Sequence, residues 1–135
     1  MGDFNGKTIL IVEDDNDSRQ MLRFFLEAEG YQIIEAGNGR EALKLAVSAQ
    51  PDLILMDLNM PELNGIDAAR QIRQNADLSS IPIIANSGDG QRGMELFLNM
   101  DNLGKGFVSY LTKPLSLDAL NEQVQIAMSY SNQPA

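Results

Sequence analysis

The chain has 135 residues, of which 44% are hydrophobic, and it carries a formal net charge of -9 with no histidine and no cysteine. That length suits one domain, and the missing residue types exclude Ser-His-Asp and Cys-His catalysis, disulfide bonds and thiolate metal sites. The acidic balance, with no basic cluster, disfavours direct binding of nucleic acid or of an anionic membrane surface.

Five short apolar segments are predicted to form β-strands because they are rich in aliphatic and β-branched residues. Runs such as "LILM" do not alternate with polar residues, which indicates burial on both faces, as in a parallel sheet covered by helices. In chain order the segments are "TILIV" (8–12), "YQIIEA" (31–36), "DLILM" (52–56), "IPIIANS" (81–87) and "GFVSYL" (106–111).

Amphipathic segments alternate with these strands and are predicted to form helices. Gly30 follows the first helix and is predicted to end it. Asn38 and Glu41 have the spacing of a capping box at the start of the second helix, whose apolar residues through Val47 are expected to pack in the core. The predicted helices cover residues 15–29, 39–49, 65–75, 91–103 and 117–129.

Five alternating strands and helices predict an α/β fold with a doubly wound parallel sheet. One domain is expected over residues 7–129, between an N-terminal tail at 1–6 and a C-terminal tail at 130–135. No apolar run is long enough to cross a bilayer, and "MGDFNGK" lacks the apolar core of a signal peptide. We therefore predict a cytoplasmic protein.

Polar residues close four of the predicted strands. Glu13 and Asp14 follow the first, Asp57 closes the third, Ser87 the fourth and Lys113 the fifth. Sites in open α/β sheets form at the carboxyl ends of the strands. Three converging carboxylates predict a site for a hard cation, with Mg²⁺, Ca²⁺ and Mn²⁺ as candidates. Mg²⁺ is favoured because it takes few protein carboxylates and leaves room for a phosphate oxygen. The lysine and the hydroxyl add groups suited to a phosphoryl ligand.

Each of these residues also has an ordinary structural interpretation. An Asp at the end of a strand, such as Asp14, is as often a helix cap as a ligand. Two further acidic residues of the same segment, Asp15 and Asp17, are predicted to lie at the first turn of the next helix rather than in the site, because the helix dipole favours anions there. The prediction of a site therefore depends on the combination of residues at four strand ends.

The chain resembles a response-regulator receiver domain of two-component signalling, of the stand-alone chemotaxis-regulator or phosphorelay type. The resemblance covers roughly residues 7 to 129 and rests on "ILIVEDD", "DLILMDLNMPELNG", "IPIIANS" and "YLTKP". It implies a flavodoxin-like sheet with strand order 2-1-3-4-5. It also implies a single-domain response regulator that catalyses its own phosphorylation and dephosphorylation and is not an enzyme for other substrates.

The resemblance also implies roles for residues around a phosphoacceptor. Asp57 would accept a phosphoryl group from the histidine of a sensor histidine kinase or a histidine phosphotransfer protein. Mg²⁺ would be bound by Asp14, Asp57 and the backbone carbonyl of Asn59, and by Glu13 through water. Lys113 would pair with the phosphoryl group.

Further residues would convert phosphorylation into a signal. Ser87 would hydrogen-bond the phosphoryl group, and Ser87 and Tyr110 would form the switch. The switch would act on the face made by the fourth helix, fifth strand and fifth helix, for contact with a downstream protein or onward phosphotransfer. Asn59 and Asp89 would tune the rate of dephosphorylation.

Two segments depart from the family pattern. Ser87 is followed by the glycine-rich "GDGQRG", and "NMDNLGKGF" stands before the fifth strand, so the interval from Ser87 to Lys113 is longer than usual. The first segment lies near the mouth of the predicted site, whereas the second is expected at the output face, as a longer fourth helix or an enlarged loop over residues 99–106. The downstream partners of ordinary receivers are therefore not assigned to this chain. The alternative is an insertion that the surface simply tolerates.

Three other functions are open at this stage. A receiver-shaped docking module that is never phosphorylated would show no adduct with Mg²⁺ and a phosphodonor. A flavin-binding electron carrier would absorb visible light, although Glu13, Asp14 and Asp15 would repel a flavin phosphate. A metal-dependent phosphatase would turn over added phosphate esters.

Overall fold

The computed structural model describes residues 6–58, 65–87, 109–112 and 116–131. These residues contain the predicted parallel sheet, with strand order β2-β1-β3-β4-β5. The strands are β1 (Thr8–Val12), β2 (Gln32–Ala36), β3 (Leu53–Asp57), β4 (Ile83–Ser87) and β5 (Ser109–Thr112). The helices are α1 (Asn16–Ala28), α2 (Gly39–Ala49), α3 (Gly65–Gln74) and the C-terminal helix (Leu117–Ser131). The predicted helix over 91–103 and the segments "GDGQRG" and "NMDNLGKGF" lie outside the described residues.

Two apolar clusters cover the two faces of the sheet. In one, Leu10, Ile54 and Ile83 of the strands pack with residues of α2 and α3. In the other, Ile9 and Leu55 of the strands pack with residues of α1 and the C-terminal helix. Every residue of β3 is buried, as the unbroken run "LILM" predicted, because β3 lies inside the sheet and has helices on both faces.

Side-chain and backbone caps set the ends of the helices. Asp15 is the N-cap of α1 and accepts a hydrogen bond from the Ser18 amide at 2.8 Å, which confirms its predicted place at this helix start. Asn38 caps α2 in the same way through the Glu41 amide at 2.8 Å. Gly30 has φ +102°, a conformation that favours glycine and ends the helix as predicted.

The apolar stripe of α2 is narrower than predicted. Ala42 and Ala46 are fully buried, whereas Val47 is 53% exposed. The reason is geometric: each residue turns about 100° around a helix, so Val47 is turned away from the sheet that Ala46 faces. None of the helices in the described ranges is long and apolar enough to cross a membrane.

Candidate functional site

Three carboxylates meet where β1 and β3 end. Glu13 and Asp14 directly follow β1, and Asp57 is the last residue of β3, the strand paired with β1. One oxygen from each of the three side chains lies within 4.8 Å of the others. Glu13 and Asp57 are only 1% and 2% exposed, whereas Asp14 is exposed. The cluster therefore has one open side and two buried ligand groups.

Glu13 is held by three different parts of the fold. Its backbone N–H donates to the carbonyl of Ala36 at the end of β2, at 3.0 Å. Its carboxylate accepts a hydrogen bond from the Asp15 amide at 3.1 Å, and its carbonyl accepts one from Nη1 of Arg19 at 2.8 Å. These contacts fix the segment between β1 and α1 from which the carboxylates project.

Arg19 is itself held by an ion pair on the edge of the sheet. Its Nε lies 2.8 Å from Oε1 of Glu35 on β2, and Arg23 on the next turn of α1 also donates to Glu35. Partial burial alone would raise the pKa of Glu35, but the hydrogen bonds from Arg19 and Arg23 outweigh it and hold that pKa below its ordinary value. The negative charge of Glu35 therefore anchors the arginine that contacts Glu13.

Asn86 lies beside Asp57 on the neighbouring strand. The two residues are paired in the register of β3 and β4, and the Leu58 amide donates to the Asn86 carbonyl at 2.9 Å. The Asn86 side chain is 1% exposed, and neither its Oδ1 nor its Nδ2 has a hydrogen-bond partner within the described part of the chain. Few buried amides in proteins remain unpaired in this way.

The sequence-based reasoning missed both Asn86 and Arg19. Asn86 had a signal, because it is the only amide in "IPIIANS" and follows a run that is apolar up to Ala85. Arg19 had none, since a polar residue in the second turn of a helix is ordinary, and only the fold places it against Glu13.

The other predicted site residues are placed only in part. Ser87 closes β4, and Tyr110 lies in β5 opposite Ala85, but their side chains lie outside what the structure describes. Asn59, Asp89 and Lys113 fall outside the described residues altogether. The roles of these five residues stay predictions.

The carboxylate cluster suits a hard divalent cation. All three side chains offer oxygen, the donor that Mg²⁺ and Mn²⁺ prefer. Ligands around one Mg²⁺ at about 2.1 Å lie up to about 4.2 Å apart. Oxygens already within 4.8 Å of one another need only a small adjustment to reach that geometry.

Comparison with known families decides the class of this protein. Residues 9–125 match the family model of the response regulator receiver domain. The chain belongs to that family. Receiver domains are phosphoacceptor modules of two-component signalling, and they interact with histidine kinases and downstream targets.

Curated receivers similar to this chain include the polar-differentiation response regulators DivK of two Brucella species. The proteins of Brucella anthropi and Brucella ovis are each 34% identical to this chain over 119 residues, which cover 88% of this chain and 94% of each relative. This receiver therefore matches nearly the whole length of both.

Solved receiver structures have the same fold. The receiver domain of the sensor histidine kinase PA1611 from Pseudomonas aeruginosa, solved with a magnesium ion in the active-site cleft, superposes with a TM-score of 0.83 and 30% identity, covering 92% of this chain and 98% of that one. The chemotaxis protein CheY4 of Vibrio cholerae superposes with a TM-score of 0.82 and 28% identity, covering 90% of this chain and 98% of that one. Both support the flavodoxin-like fold predicted from the sequence.

Proposed function

We propose that this receiver accepts a phosphoryl group on Asp57 from a phosphohistidine of a sensor histidine kinase or a histidine phosphotransfer protein. The observation that carries the proposal is the cluster of Glu13, Asp14 and Asp57, in which a buried carboxylate at the end of a central strand meets two others beside an open side. The cluster suits a divalent cation, and membership of the receiver family supports a phosphoryl group on Asp57 beside it.

The reaction is a covalent transfer with Asp57 as nucleophile. A carboxylate oxygen of Asp57 attacks phosphorus, an O–P bond forms, and the N–P bond to the imidazole breaks. The electron pair of that bond stays on the imidazole nitrogen, which takes up a proton. Water would later end the signal. It attacks phosphorus, the bond between phosphorus and the Asp57 oxygen breaks, the Asp57 carboxylate is restored, and inorganic phosphate leaves.

Asp14 and Asp57 would hold Mg²⁺ directly, together with the carbonyl of Asn59, and Glu13 would hold it through water. The bound cation supplies positive charge that neutralises phosphoryl oxygens. The buried position of Glu13, fixed by the Asp15 amide, favours a supporting role because its carboxylate is already engaged by a backbone donor. Mn²⁺ has similar oxygen preferences and is the alternative ion.

The remaining predicted residues complete the proposed switch. Lys113 would pair with the phosphoryl group, Ser87 would hydrogen-bond it, and Tyr110 would follow the movement of Ser87. Asn59 and Asp89 would set the rate at which water removes the phosphoryl group. This movement would alter the face near β5 for a downstream protein or for onward phosphotransfer.

The proposal extends to the organisation of the chain. The receiver domain would span residues 7–129, with residues 1–6 and 130–135 outside it, and it would act in the cytoplasm. It would catalyse its own phosphorylation and dephosphorylation.

Intact-mass spectrometry after incubation with acetyl phosphate tests the proposal. We expect one phosphoryl adduct that requires Mg²⁺ and is absent from Asp57→Asn. The matched control is Asp77→Asn, which changes an exposed aspartate after α3 and should leave the adduct unchanged. No adduct on the unaltered protein with Mg²⁺ and a phosphodonor would instead support the docking module that is never phosphorylated.

A further inference from the structure

Asn86 lies on the same face of the sheet as Asp57. Leu55 and Ile84 are paired across β3 and β4, and both belong to the cluster packed against α1 and the C-terminal helix. Side chains alternate along a strand, so residues two positions further on return to the same face. Asp57 and Asn86 are those residues, and they are again paired in register.

The environment of Asn86 leaves its amide with unused hydrogen-bonding capacity. The side chain is 1% exposed, and both Oδ1 and Nδ2 lack partners in the described part of the chain. Burying such a group without a partner is unfavourable. The positions before it on this face, Ile84 and its partner Leu55, are apolar and pack normally, so an apolar residue would suit position 86 if packing were its only task.

We propose that Asn86 is a further ligand of the phosphoryl group, donating a hydrogen bond from Nδ2 to a phosphoryl oxygen once Asp57 is phosphorylated. This role rests on the proposed phosphorylation of Asp57. The amide then finds its partner only in the phosphorylated state. Because the Asn86 amide has no hydrogen-bond partner in the unphosphorylated protein, the new hydrogen bond would favour the phosphorylated state.

The distances between strands favour the phosphoryl group over the carboxylate itself as the partner. Neighbouring strands lie about 4.8 Å apart, and the Asn86 amide makes no hydrogen bond to the Asp57 carboxylate across that gap. Phosphorylation lengthens the Asp57 side chain by an O–P bond and adds three strong acceptor oxygens. Hydrogen bonds to such charged acceptors are shorter and stronger than neutral ones.

Asn86→Leu tests the role because leucine has a similar volume and no polar atoms. Beryllofluoride with Mg²⁺ serves as the phosphoryl mimic, and its affinity is measured by thermal shift titration. We expect a resting melting temperature at least equal to that of the unaltered protein, beryllofluoride binding weakened about tenfold and phosphorylation by acetyl phosphate slowed about tenfold, as the loss of one hydrogen bond to a charged group implies.

Two further variants sharpen the experiment. Asn86→Asp keeps the shape but removes the donors and adds a like charge beside Asp57, so we expect beryllofluoride binding to be lost. Asn121→Leu on the C-terminal helix is the matched control, since Oδ1 of Asn121 is also buried without a partner in the described residues. It should leave beryllofluoride binding unchanged. If Asn86→Leu does not fold, Asn86→Ala replaces it.

The outcomes separate this role from the proposed function. Unchanged beryllofluoride affinity and phosphorylation rate in Asn86→Leu, with a normal adduct on the unaltered protein, would overturn the role of Asn86 alone and leave it structural. Absence of any adduct on the unaltered protein would overturn both proposals.

Discussion

Arg19 on α1 donates a hydrogen bond from Nη1 to the backbone carbonyl of Glu13 at 2.8 Å. The other nitrogens of Arg19 bind Glu35 and Asn16, so the guanidinium cannot swing away without breaking several contacts. The β1–α1 segment of the site is thereby tied to the outer strand of the sheet.

We predict that Arg19→Ala weakens Mg²⁺ binding several-fold and lowers the free energy of unfolding by about 1–2 kcal/mol, because it frees the Glu13 carbonyl and breaks a partly buried ion pair. Isothermal titration calorimetry measures the first effect and urea unfolding the second. Arg23→Ala is the matched control, since Arg23 also donates to Glu35 but has no bond to Glu13. Equal loss of Mg²⁺ affinity in the two variants would contradict a positioning role for Arg19.

Glu35 makes the stability of this edge depend on pH. Its pKa in the folded protein lies below the ordinary value of 4.5, the hydrogen bonds from Arg19 and Arg23 outweighing the opposite effect of burial. A carboxyl whose pKa is lowered by folding contributes stability in full above its unfolded pKa and loses it as the pH falls through the lower folded value.

We therefore predict that Glu35→Gln unfolds at lower urea concentration than the unaltered protein at pH 7, and that the difference shrinks as the pH falls below about 4.5. Urea midpoints from pH 7 to pH 3 measure it. Glu29→Gln, an exposed change at the end of α1, is the control and should show little difference at any of these pH values. A difference in urea midpoint that grows as the pH falls would contradict the prediction.

The sequence was sufficient to predict the parallel sheet and the carboxylate cluster. Unbroken apolar runs marked the strands, and because parallel strands end at one edge, Glu13, Asp14 and Asp57 had to approach one another once β1 and β3 were neighbours. Helix caps such as Asn38 could also be predicted, because the residues that form a capping box lie within a few positions of one another.

Features that depend on contacts between elements could not be predicted. The hydrogen bond from Arg19 to Glu13 depends on how α1 packs against the sheet. The pairing of Asn86 with Asp57 depends on the register of β3 and β4. Helical periodicity also fails at the margins of a stripe, as the exposure of Val47 illustrates.

The orientation of α1 gives a direct test of the fold. Leu26 is fully buried in the cluster beneath α1, whereas Phe24 on the opposite side of the same helix is 79% exposed. We predict that Leu26→Ala lowers the free energy of unfolding by about 3 kcal/mol through the cavity it leaves. Phe24→Ala should change it by no more than about 0.5 kcal/mol, although phenylalanine is the larger residue. Chemical denaturation measures both, and a larger loss for Phe24→Ala would mean that α1 faces the other way.

The carboxylate cluster predicts opposite effects of one substitution with and without metal. In the absence of divalent ions, Asp14→Asn should raise the melting temperature, because it removes one of three negative charges whose oxygens lie within 4.8 Å of one another. With Mg²⁺, the unaltered protein should gain about 2.7 kcal/mol at one hundred times the dissociation constant, while Asp14→Asn should gain much less because it has lost a ligand.

Differential scanning fluorimetry with EDTA or with a series of Mg²⁺ concentrations measures the melting temperatures of the two proteins. Plotted against Mg²⁺ concentration, the curve of the unaltered protein should start below that of Asp14→Asn and rise above it. Asp17→Asn is the control: Asp17 is exposed in the first turn of α1 and is not a member of the cluster. Its melting temperature should follow that of the unaltered protein at every Mg²⁺ concentration. Parallel curves for Asp14→Asn and the unaltered protein would place the metal elsewhere, since only loss of a ligand makes the stabilisation by Mg²⁺ depend on this side chain.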